Sequence, residues 1–146
     1  MSAEAAHILT HLITPLTCSE QPFHARWLGD IHDPLPQRLA TSLQALIWTE
    51  SEALTRWSLA VFDARTSRPA PQDVAWWRDV GARQVFVLGE ASLRFDPMLA
   101  SLGLRPVARG QTQAVWAFDI ADYKPRPDWL NPRFWANPER WDQARW

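Results

Sequence analysis

One cysteine, Cys18, stands in a chain of 146 residues. No intramolecular disulfide can form, and a zinc site built from several cysteines is excluded. That usage fits a reducing compartment. Glycine is nearly as scarce, with five in the chain, and no G-x-G-x-G pattern occurs, so a glycine-rich nucleotide cradle cannot be read from the sequence. Lysine occurs once, at Lys124, no Lys/Arg run exists, and the formal charge is −1. Proteins that wrap nucleic acid or coat anionic membranes carry a marked basic excess, so neither partner is expected. No apolar run approaches the roughly 20 residues that span a bilayer. The opening "MSAEAAHILTHLITPLT" lacks a basic start and reads as an amphipathic helix rather than a signal peptide, which points to a cytoplasmic protein. The G-x-S-x-G, P-loop and EF-hand patterns are absent as well.

Tryptophan is abundant, with ten against a single tyrosine. Apolar residues make up 47% and charged residues 21%, the balance of an ordinary globular domain rather than a disordered chain. At this length one domain is expected, burying roughly two-thirds of its unfolded surface.

Apolar spacing predicts an opening helix over 3–13 that ends at Pro15, then a short strand over 24–31. Leu35, Leu39, Leu43 and Leu46 recur at helical spacing behind Pro34 and Pro36, giving a helix over about 35–45. Strands follow at 45–50 and 58–64, with a short helix from Ser51 between them. A helix over 72–82 closes on Gly81. A nearly uninterrupted apolar strand covers 83–90, and a helix over 96–104 stops at Gly103. The segments 105–110 and 113–120 pair across "GQTQ" as antiparallel neighbours at one edge. Short apolar strands alternating with helices predict an α/β fold: three layers around a mostly parallel, shortened Rossmann-like sheet with a C-terminal antiparallel edge hairpin.

The pieces "SLAVFDA", "VAWWRDVGARQVFVLG", "MLASLGLRPVARG" and "AVWAFDIADY" resemble, in order and type, the C-terminal half of a class I S-adenosylmethionine-dependent methyltransferase. The resemblance covers about 58–123, and 24–50 more loosely. It implies that S-adenosylmethionine, if bound, would meet Gly29, Asp30 and Asp63. The sequence departs from that pattern after the first strand, where "WLGD" offers one glycine. The end of the chain, "DIADYKPRPDWLNPRFWANPERW", resembles that of a family of small bacterial, pseudomonad-like proteins with a similar core and no assigned activity.

Other candidate groups come from spacing. His7 and His11 share a helix face, the i, i+4 geometry that suits a metal, but they lack the acidic partner of a zinc protease; no metal site is expected. In "DIHD", Asp30, His32 and Asp33 form either a hydrogen-bonded cluster or ordinary turn chemistry. Asp63 and Glu90 end two apolar strands, where ligand crevices of parallel sheets lie, and would form an acidic mouth if both faced one crevice. Cys18 has no neighbouring base.

Residues 122–146 form a segment apart from the 1–121 domain. Trp129, Trp135, Trp141 and Trp146 are spaced six, six and five apart, which fits neither helix nor strand. Pro125, Pro127, Pro132 and Pro138 break any long helix. This Trp/Pro-rich tail, with Tyr123, Leu130 and Phe134, is expected to pack in an extended path on its own domain or on a protein partner, including a second copy. Together these observations favour a non-catalytic binding or scaffold protein on a degenerate methyltransferase-like core. A methyltransferase with an unusual cofactor loop and an accessory subunit of a larger complex are the alternatives.

Overall fold

The computed structural model describes residues 3–51, 55–91 and 96–123. Six strands, β1 (Phe23–Leu28), β2 (Leu46–Trp48), β3 (Trp57–Asp63), β4 (Ala82–Glu90), β5 (Arg105–Arg109) and β6 (Gln113–Asp119), form one sheet in the order β2-β1-β3-β4-β6-β5. Every residue of β3 is buried, as a strand covered on both faces requires, and its run of Leu59, Ala60, Val61 and Phe62 supplies the apolar side chains for it.

The expectation of a three-layer, mostly parallel, Rossmann-like sheet is corrected here, while the C-terminal antiparallel hairpin does lie at one edge. The sheet is mixed. β2–β1, β1–β3 and β3–β4 pair in parallel, whereas β4–β6 and β6–β5 are antiparallel. The last strand also lies inside the sheet, between β4 and β5. Two physical causes account for this. The few residues between Arg109 and Gln113 are too short for a parallel crossover and fix β5 and β6 as a hairpin. Within that hairpin β6 carries the apolar side chains: Ala114, Val115, Trp116 and Phe118 are buried, while Arg105, Pro106, Val107 and Arg109 of β5 are exposed. The apolar strand therefore takes the interior lane. Pro106, the flanking arginines and a register shift between Pro106 and Ala108 leave β5 as a blunted edge.

The helices are α1 (Ala3–Ser19), α2 (Leu35–Ser42), α3 (Pro71–Trp76), α4 (Pro97–Ser101) and α5 (Ile120–Tyr123). α1 runs through Pro15 instead of ending there. A helix can carry a proline where packing outweighs the lost N–H bond, and here Ile13 and Thr17 on either side are buried. α3 continues into a π-helical turn, Trp77–Gly81.

Period-two alternation along the strands divides the core in two. Leu9, Ile13 and Leu39 of α1 and α2 pack with Leu59, Val61, Phe86 and Leu88. Val74 of α3 and Leu99 of α4 pack with the alternate set, Ala60, Phe62, Val85, Val87 and Trp116. No helix among the described residues is long and apolar enough to cross a membrane. The tail residues Trp129, Leu130, Phe134, Trp135, Trp141 and Trp146 lie outside the described residues, as do residues 52–54 of the short helix expected from Ser51; its described residues are not helical, and Trp57 opens β3.

Candidate functional site

The ends of β1 and β3 and the start of α3 enclose a cleft of about 560 Å³. Gly29, Asp30 and Asp63 all line it, so the three residues singled out in the sequence do come together. Arg26, Trp27, Glu50, Arg68, Asp73 and Trp77 complete much of its wall.

The parallel pairing of β1 with β3 in the register Leu28↔Phe62 sets Gly29 beside Asp63. A Cβ on Gly29 would stand 2.6 Å from Asp63 Cβ and 3.0 Å from Trp27 Nε1. The glycine is thus needed for the approach of Asp63 to the β1 turn. Asp63 itself is buried, its side chain 1% exposed. The Arg65 guanidinium donates to both its oxygens, Nε to Oδ1 at 2.8 Å and Nη2 to Oδ2 at 2.9 Å. The backbone N–H of Arg65 donates to Oδ1 at 3.1 Å. Arg65 Nη2 also bonds Asp33 Oδ2. The hydrogen bond from Arg65 to Asp63, with the two neighbouring carboxylates, raises the Arg65 pKa above the ordinary arginine value against the opposing effect of burial. The result is a fork held between two acids that joins the loop after β1 to the end of β3.

The "DIHD" turn follows turn chemistry. Asp30 Oδ1 accepts from the His32 N–H at 2.9 Å, and Asp33 Oδ1 accepts from the Leu35 N–H at 2.7 Å, opening α2. The His32 side chain is exposed. Trp27 Nε1 donates to the Asp30 carbonyl at 3.2 Å. On another wall Arg26 approaches Glu50 at 4.0 Å and lies 6.0 Å from the Trp57 ring centre. Trp57 meets Trp77 edge-on at 5.3 Å.

Asp63 and Glu90 do not share one mouth. Glu90 lines a separate hollow of about 170 Å³ with Val87, Met98, Leu99 and Trp116. Between the two, Arg68 borders both hollows and donates to the buried Asp96 at 2.6 Å. Asp96 in turn caps α4 by accepting from the Met98 and Leu99 N–H groups at 3.0 and 3.1 Å. Sequence reading missed Arg65, Asp73 and Trp77 as site residues. The capture of Asp63 by Arg65 had a local signal in their i, i+2 spacing past a strand end, whereas Asp33 is 32 residues from Arg65.

These residues do not fit an S-adenosylmethionine cradle of the methyltransferase kind. The space beside Gly29 is taken by Asp63, and the Asp63 carboxylate is taken by Arg65. Among the described residues no group of three or more His, Cys, Asp or Glu could hold a metal ion. His7, His11 and Cys18 are exposed on α1.

The model of a family described as Family of unknown function (DUF6231) matches residues 5–146. No curated protein matches the chain.

Proposed function

The chain belongs to that family of unknown function, which brings no chemistry with it, and we propose from the cleft itself that the protein is a non-catalytic binding protein holding a small molecule between β1, β3 and α3. One observation carries this reading. The acid best placed for chemistry, Asp63, is a buried side chain that accepts three hydrogen bonds from a single arginine residue. A general base must reach the proton it removes, and a carboxylate forked by a guanidinium is fixed in structure instead. What remains open around it is a concave surface with indole walls and scattered polar groups, the usual make-up of a ligand pocket.

The test combines thermal unfolding with amide NMR of the full chain. It uses a fragment set together with S-adenosylmethionine and its demethylated product at millimolar concentration. A ligand at about 100 times its Kd stabilises by roughly 2.7 kcal/mol, several degrees in midpoint for a domain of this size. Shifts gathered on residues 26–31 and 66–77, with the ligand recovered unchanged, support the proposal. Methyl transfer from S-adenosylmethionine to any acceptor overturns it in favour of an enzyme. A cleft that no compound perturbs removes small-molecule binding as the function.

A further inference from the structure

Among the described residues, four acids and two arginines line the β1–β3–α3 cleft. Asp63 is neutralised by Arg65 and Arg68 is held by Asp96 at 2.6 Å. Arg26 is the remaining base, and it faces Glu50 at 4.0 Å and the Trp57 ring. Asp30 and Asp73 are then left with no basic partner among the described residues. Both are exposed and so remain hydrated and open to a ligand. They lie on different elements, Asp30 in the turn after β1 and Asp73 in the first turn of α3.

The walls between these acids are aromatic. Trp27 and Trp77 line the same cleft, and each is fixed by its neighbours. The Trp27 indole N–H is tied to the Asp30 carbonyl, and Trp77 is packed edge-on against Trp57 at 5.3 Å and Trp76 at 5.0 Å. Indoles held in place beside carboxylates that have no basic partner among the described residues attract a cation twice, through the ring quadrupole and through charge. An anion entering the same space would meet an acidic excess, with Arg68 held by Asp96 and only Arg26 keeping a donor, its Nε, without a partner among the described residues. Resting on the binding reading above, we infer that the cleft selects organic cations: a substituted ammonium group attached to a small apolar or hydroxylated body.

Choline and its neutral isostere 3,3-dimethyl-1-butanol separate charge from shape. Each is titrated into the full chain at fixed ionic strength while the indole N–H signals of Trp27 and Trp77 are followed by NMR. Choline is expected to shift both signals and to bind about tenfold more tightly than the isostere, as a cation–π and carboxylate contribution of this kind implies. Asp30→Asn and Asp73→Asn each reduce choline binding several-fold and leave isostere binding unchanged. The unfolding midpoints of both variants without ligand show whether they fold. Equal affinity for the two compounds, or choline binding indifferent to both substitutions, overturns cation selection and leaves the binding reading standing. Indole signals moved by neither compound also overturn it. The fragment set then decides separately whether the cleft binds anything.

Discussion

Gly29 and Asp63 occupy one another's space: a methyl group on Gly29 would begin 2.6 Å from Asp63 Cβ. The contact involves a Cβ fixed to the β3 backbone, so a rotamer change cannot relieve it. Gly29→Ala must therefore push β1 from β3 or tilt Trp27, whose Nε1 would lie 3.0 Å away. Overpacking of this kind costs about 1–3 kcal/mol. Urea unfolding should show a lower midpoint with an unchanged slope. A variant as stable as the parent would mean that the strand ends are not in this contact.

That pair also marks how far the sequence could be read. β3 and β4 were legible because uninterrupted apolar runs have few other places to go in a domain this small. Gly29, Asp30 and Asp63 were grouped through the resemblance to a methyltransferase, and all three line one cleft. The position of β6 was not, because a hairpin of two strands has two ways to meet a sheet, and burial of Trp116 and Phe118 against the rest of the core decides between them. Nor was Arg65 as the partner of Asp33. A surface-type arginine after a strand says nothing locally about an acid 32 positions away. Pro15 misled for a related reason: the helix continues because Ile13 and Thr17 are buried, which intrinsic propensity does not register.

Glu4 joins the start of α1 to the β5–β6 turn. Its carboxylate accepts from the Thr112 N–H at 3.0 Å and also from the Thr112 hydroxyl and the Gln111 N–H. The Thr112 side-chain bond, followed by the backbone donors of the turn, lowers its pKa from the ordinary 4.5 despite some loss of hydration. A carboxyl group whose folded pKa is depressed adds stability above its unfolded value and loses it as pH falls through the folded one. Glu4→Gln should therefore unfold at a lower temperature than the parent at pH 6, and the two curves should converge below pH 4.5. Midpoints that differ by the same amount at every pH would show that the carboxylate charge contributes nothing.

Gly103 ends the short helix α4 with φ at 82°, a left-handed conformation that a side chain resists. Its N–H donates to Ala100 at 3.0 Å, and the next N–H, from Leu104, reaches Leu99 at 3.0 Å. Gly103→Ala is expected to cost about 1 kcal/mol. The loss should appear equally in thermal and urea unfolding, with the choline titration unaffected, since Gly103 is not among the residues lining the cleft. A fully stable alanine variant would remove the left-handed turn.

The Asp33–Arg65–Asp63 linkage makes the strongest claim about energetics, because removing its base leaves an acid behind. Asp63 is 1% exposed at its side chain and Arg65 14%. Arg65→Met keeps the aliphatic stem and deletes the guanidinium, so among the described residues Asp63 retains only the backbone N–H of position 65 as a donor. Breaking a buried pair from one side typically costs about 3–5 kcal/mol. Asp33, 18% exposed, regains water and adds little to that penalty. If the cost lies in the stranded carboxylate rather than in the lost attraction, Asp63→Asn should restore much of the stability in the Arg65→Met background. Asparagine keeps an oxygen to accept from the position-65 N–H and carries no charge to bury. The double variant should then unfold at a higher urea concentration than Arg65→Met alone. Additive losses in the two single variants and the double would instead place the energy in independent packing, and the linkage would no longer be what ties the β1 loop to β3.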